Sequence, residues 1–263
     1  VDFLLECIGF PPDMDREALM TLVRERGEPV AYRGPHGEHL RLALTEGLEL
    51  RLDREEEQGP TNLLPYYREP SRLRVAVDKI SRTADSPADA LLLGWAAPPI
   101  PGDLDGGAPG AYRLTMWITD ARRLPRHLTL GQVLAVSLAG FCLDTTFVGP
   151  NDGGCDASIL ERPHGFSFQV LKGEGVPGGC AELSARVKAV RHIQNTLTGR
   201  AVDVLEVDAP GRDLHLFVSP WQLSEESLPA PRPGFRIEGS FLFTGRLSGG
   251  LGRQRPAAQV AFG

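Results

Sequence analysis

The residues able to do chemistry in this chain are a few histidines, four cysteines and an unusual number of arginines. The densest set of candidate ligands is His36-Gly37-Glu38-His39. A zinc-protease site needs two histidines one helical turn apart with the glutamate between them as base, and this spacing does not supply that. Pro35 and Gly37 instead predict a polar hairpin turn whose side chains diverge. Cys142, Cys155, His164 and Cys180 are the right types for a zinc ion, but structural zinc sites draw ligand pairs from tight knuckles, and no gap here is that short. Cys155 lies in a turn-like run, residues 151–156, where a nucleophilic thiol would need His127, His164 or His192 as base. Asp152 and Asp156 would hold that thiol protonated, which opposes such a role. The chain has no G-x-S-x-G elbow and no phosphate-binding glycine signature, and the glycine-rich residues 173–179 lead into a strand. No catalytic residue, metal ion or cofactor is predicted.

Cations are the remaining candidates. Arg113, Arg122, Arg123 and Arg126 form the one concentrated basic stretch, beside His127 and near Trp117. Arg186, Lys188 and Arg191 lie along one predicted strand, with Trp221, Phe235, Phe241 and Phe243 nearby in sequence. Single-strand-binding barrels combine cations and aromatic platforms in this way. Against that reading, Phe241 and Phe243 share one face at period two and read as core. The net charge is −6, and residues 181–263 are close to balanced. These seven cations are therefore possible ligand- or partner-binding residues, a protein is the expected partner, and single-stranded nucleic acid is the alternative.

The elements that would carry these residues are mostly short strands. Thirty glycines and 22 prolines, scattered without period, suit many strands joined by turns, and no internal repeat is visible. Residues 3–10 predict a first strand. Residues 13–26 predict a helix with Asp13 or Asp15 at its start, an apolar stripe of Leu19, Leu22 and Val23, and Gly27 as its stop. Strands follow at 30–33, 40–44 and 48–52. In the last of these, Leu48, Leu50 and Leu52 alternate with Glu49 and Arg51, which predicts one buried and one solvated face. Further strands are expected at 73–80, 91–95, 112–119 and 166–171, with a long loop at 97–110. Residues 128–147 fit a buried helix or two strands bent at Gly140.

The fold class expected is α+β and β-rich. An N-terminal strand–helix–strand meander layer occupies residues 1–172, and residues 173–179 read as a linker. Residues 181–263 carry strand candidates at 183–193, 201–207, 214–218 and 235–243, the layout of a small OB-like β-barrel. An SH3-like barrel, or a layer completing the first sheet, fits the same spacing.

Phe3-Leu4-Leu5, Ile8-Gly9-Phe10, the helix over 16–26, the strand at 47–50 and Pro65-Tyr66-Tyr67-Arg68 resemble a family of uncharacterised bacterial proteins. The resemblance covers about a third of the chain, implies a fold and brings no activity with it.

Hydrophobic residues make up 41% and charged residues 24%, an ordinary globular mix with no apolar run long enough for a membrane helix. Asp2 and Glu6 flank the first apolar residues, so no signal segment is read there and a cytoplasmic location is expected. With no CxxC pairing, four free thiols are expected. The functional expectation is a non-catalytic binding or protein-interaction protein. An enzyme whose groups meet only in the fold is a second alternative beside nucleic-acid binding.

Overall fold

The computed structural model describes residues 2–30, 33, 37–68, 72–82, 86, 88–100, 109–125, 127–149, 165–173 and 175–248, with residues 146–149 described as backbone only. The predicted first strand is instead helix α1 (Asp2–Glu6) and a turn. Leu4 and Ile8 stand one helical turn apart, and the run Leu4–Phe10 is buried almost throughout, so its apolar character alone did not distinguish helix from strand. Helix α2 (Arg16–Arg26) begins at Asp15, whose carboxylate accepts from the Glu17 and Ala18 amides, and ends at Gly27. Gly27 closes the helix in an extended conformation, where a Cβ would lie 2.4 Å from the Val23 carbonyl oxygen.

A small antiparallel sheet follows in the order β1 (Glu28–Pro29), β2 (Glu38–Ala43), β3 (Leu48–Arg54) and β4 (Asn62–Tyr67). The charged face of β3 is not solvated. Glu49, Arg51 and Asp53 are all buried, because the large sheet packs over them.

The large mixed sheet has nine strands: β5 (Leu73–Arg82), β6 (Ala90–Ala96), β7 (Tyr112–Ile118), β8 (Val133–Gly149), β9 (Ser167–Val170), β10 (Cys180–Gln194), β11 (Ala201–Val207), β12 (Leu214–Phe217) and β13 (Arg236–Leu247). Residues 128–147, ambiguous in sequence, lie mostly in the single 17-residue strand β8. Its run is apolar on both faces because Leu134, Val136, Leu138, Phe141 and Cys142 are all buried between layers. Strands from both sides of residues 172–181 are hydrogen-bonded in this sheet, and residues 173–179 turn from β9 into the antiparallel β10.

Two closed circuits of pairing run through the sheet. One is β5–β6–β7–β13–β8; the other is β10–β11–β12–β8–β13. Because β8 and β13 belong to both, the result is not a single clean barrel. The circuits are copies of one plan: β5, β6, β7 and β8 correspond to β10, β11, β12 and β13. Val75 lies opposite Leu134 as Ala185 lies opposite Ile237. Leu92 lies opposite Met116 as Leu205 lies opposite Leu216. Each first strand carries its register shift at the matching place, between Val77 and Lys79 and between Val187 and Ala189. Each third strand runs parallel to the long strand of the other copy. A short helix follows each third strand: a 3-10 turn (Ala121–Arg123) after β7 and α3 (Pro220–Glu225) after β12. The chain is thus an internal duplication that its sequence does not display.

Candidate functional site

The most concentrated buried chemistry joins the small sheet to the large one. Arg33, 1% exposed, contacts Asp89 at 2.6 Å, Glu55 at 3.1 Å and Asp53 at 3.3 Å. The Ser86 hydroxyl lies between Glu55 and Asp89, within hydrogen-bond distance of both, and its single proton serves one of them at a time. His39 lies opposite Asp53 in the sheet and bonds it at 2.9 Å. His39 is therefore a buried member of this network and not part of a polar turn; His36 lies outside the described residues. Burial pushes the Asp89 carboxyl up, and the Arg33 guanidinium works against that shift. Beside it Arg51 grips Glu49 at 2.6 Å, donates to Thr119 and covers the Tyr66 ring at 4.2 Å. Every carboxylate here already has a cationic or hydroxyl partner. The network acts as a clamp between sheets.

The thiols are equally occupied. Cys7 donates to the Cys142 carbonyl, and Cys142 sits 2.7 Å from the Thr145 hydroxyl. Burial raises Cys7 well above its usual value and Cys142 to about 12. Cys7, Cys142 and Cys180 are free and buried, while Cys155 and His164 lie outside the described residues. Among the described residues no group of three or more His, Cys, Asp or Glu is placed to hold a metal ion. No helix among them is long and apolar enough to cross a membrane.

The seven predicted cations do not converge. Arg113 bonds Asp78 at 2.6 Å on the outer side of β5–β7. Arg122 is exposed on the 3-10 turn, whereas Arg123 is a structural tie to Asp120 and the Leu247 carbonyl. Arg126 lies outside the described residues. Arg186 is exposed, Lys188 is held by Asp213 at 2.5 Å, and Arg191 donates to the Tyr67 hydroxyl at 2.7 Å. Glu206, Asp208 and Asp213 interleave with this last group along the same side of the sheet. Phe241 and Phe243 are fully buried, as their period predicted.

Two surfaces stand out once the duplication is known. Residues directly opposite one another in a sheet project to the same side. On the second copy, Arg191, Val204, Phe217, Glu206 and His215 therefore share an outer face. The N-terminal segment covers most of it. Tyr67 packs on Phe217 and His215 with ring centroids 5.0 and 5.8 Å away, Gly9 presses on Val202, and Asn195 and Thr198 bond the Ile8 and Gly9 carbonyls. Where this cover ends, an open cleft of about 970 Å³ separates the sheets. Its walls are Glu46, Gly47 and Arg68 on one side and the 208–213 turn on the other.

Among the described residues the matching face of the first copy has no comparable cover, although Thr115 on it is buried and a Cβ on Gly178 would lie 3.0 Å from Leu91 at its edge. Leu91, Leu93, Trp95 and Trp117 lie there partly buried, with Arg74, Lys79 and Arg113 around them. It continues into a hollow of about 510 Å³ lined by Trp95, Pro99, Leu130 and Val133, of which Leu130 is 80% exposed. Of this set the sequence marked Arg113, with Trp117 noted near it. The signal for the rest was the period-two spacing of Leu91, Leu93 and Trp95, which reads as core until the opposite face is seen to be filled by Leu92 and Gly94.

No family model matches the chain, and neither the curated proteins nor the solved structures contain a match.

Proposed function

We propose that this chain is a non-catalytic protein-interaction module whose binding face is the uncovered outer side of β5–β6–β7. The observation that carries it is the partly exposed cluster Leu91, Leu93, Trp95 and Trp117, on the face whose twin is mostly covered by residues 8–9 and Tyr67 of β4. Contiguous apolar surface of this kind is characteristic of interaction sites. Arg74 and Lys79 at its rim favour a partner that presents an apolar surface flanked by acids, Arg113 being already matched by Asp78. In the same reading each copy is OB-like: a three-strand meander, a short helix, and a long fourth strand that returns to the first, with the fifth place filled by the other copy's long strand. The pairing order supports this. Free buried thiols suit a cytoplasmic location.

A second reading, single-stranded nucleic acid on the same face, draws on the two tryptophans beside Lys79. Leu91 and Leu93 between them, and a chain charge of −6, favour protein.

Panning a phage-displayed random peptide library on the immobilised full chain tests the proposal. Enriched peptides should carry acid-flanked apolar cores and bind the Trp95→Ala/Trp117→Ala variant about 10- to 30-fold more weakly. No enrichment, or equal binding to the variant, rejects it. Tight, salt-sensitive binding of labelled oligothymidine that the same variant loses would select the nucleic-acid reading instead.

A further inference from the structure

We infer that the cleft between the small sheet and β10–β12 is a second, separate binding site, one for a small dipolar ligand of the short zwitterionic peptide class. Its volume, about 970 Å³, is far larger than one amino acid needs and falls at the upper end of small-ligand sites. The floor is rigid and partly apolar: Tyr67 and His215 are buried, their rings are 5.8 Å apart, and Tyr67 is braced edge-on against Phe217. The Tyr67 hydroxyl accepts from Arg191 at 2.7 Å, which holds that guanidinium at the cleft wall.

The charges lining the cleft define what fits. Asp213 is already matched by Lys188 at 2.5 Å. Arg68 and Arg212 have no ion-pair partner among the described residues, and neither have Glu46 and Glu206, yet all four line the same cavity. Arg68 and Glu46 come from the small sheet and its turn, and Arg212 and Glu206 from the large sheet, so of these four each wall offers one cation and one carboxylate, with Arg191 and Asp208 beside them on the second wall. A simple anion would meet the two carboxylates as well as the arginines. A ligand with a carboxylate at one end and an ammonium at the other satisfies both pairs, and guanidinium–carboxylate contacts are the stronger half of that match. The walls are held by tight turns. Gly47 adopts φ +77° and its carbonyl accepts from the Arg68 amide at 2.6 Å; Gly211 adopts φ +84° against Ala97.

The test is the melting temperature of the full chain with tetra-alanine, compared with the same peptide N-acetylated or C-amidated. At about ten times its dissociation constant the free peptide should raise the melting temperature by about 2–4 °C, and blocking either end should remove most of that rise. Arg68→Glu with Arg212→Glu, on the exposed rim, should melt like the unliganded protein and lose the response. Trp95→Ala/Trp117→Ala should keep it, which separates this site from the protein-docking face. No shift at any concentration, an equal shift with blocked peptides, or a shift that survives in the double-arginine variant overturns the inference. A shift with inorganic phosphate alone also overturns it, in favour of a plain anion site.

Discussion

Gly140 and Phe243 lie directly opposite each other where the two long strands cross, and each is the other's counterpart in the duplication. The pair breaks the symmetry: one copy supplies a ring and the other supplies the room for it. A Cβ on Gly140 would lie 2.8 Å from the Phe243 ring and 2.7 Å from Leu216, both fully buried. Gly140→Ala should therefore cost about 1–3 kcal/mol, the usual penalty for overfilling a packed core, measured by chemical denaturation. A neutral result would mean that the crossing is loosely packed.

Asn195 should hold the N-terminal segment in place. It is fully buried, donates to the Ile8 carbonyl at 2.8 Å and accepts from the Leu197 and Thr198 amides. Asn195→Ala strands these groups and should cost about 1–3 kcal/mol. Hydrogen exchange should quicken first in residues 2–10, with β5–β7 unaffected.

The clamp at Arg33 makes a larger prediction. Arg33→Met leaves Asp53 and Asp89 buried without their cation, a loss of about 3–5 kcal/mol. Circular dichroism during urea titration would read the midpoint shift. A change under about 1 kcal/mol would show that solvent reaches the site.

Much of this organisation could be read in the residues, and the parts that could not share a cause. Apolar runs bounded by turn residues marked the strands at 201–207 and 214–218 nearly to their ends, and 183–193 within the longer β10. Period-two spacing misread β3, where Glu49, Arg51 and Asp53 alternate with leucines yet are buried, since a charge pattern does not reveal whether its partner charges lie elsewhere in the fold. The duplication stayed invisible for a related reason. Inward positions agree in kind, Met116 with Leu216 and Leu114 with Leu214, and any apolar side chain serves there. Outward positions face different surroundings and differ accordingly: Thr115 against His215, Leu93 against Glu206, Asp78 against Lys188. The uncovered face of β5–β7 followed only from comparing the two copies. Arg113 was legible because basic clusters are visible in one dimension.

The buried thiols give a pH signature. Cys142 is raised to about 12 and Cys7 is also raised, while an unfolded cysteine ionises near ~8.5. The native state therefore keeps protons that the unfolded chain releases. Their stabilising contribution is full below about pH 8.5 and declines as pH rises toward 12, by up to about 1.4 kcal/mol per unit per thiol. Cys142→Ala should flatten the fall in stability between about pH 8.5 and 9, below the range where unfolded tyrosines begin to ionise. Thiol reagents should reach Cys7 and Cys142 only after denaturation. Rapid labelling of either in the native protein would contradict their burial.

The exchange of long strands between the copies has a consequence for how the chain can be taken apart. Neither copy can close its circuit alone, since β12 needs β8 and β7 needs β13. A single cut in the turn between β9 and β10 would therefore leave two pieces clasped through each other's strands, migrating as one particle until denaturant separates them. Expressed apart, residues 1–172 and 173–263 should each be insoluble or unfolded, and co-expressed they should rebuild the whole. The molecule should therefore work as a ready-made split protein, with its seam between the copies and its clasp at Gly140 and Phe243.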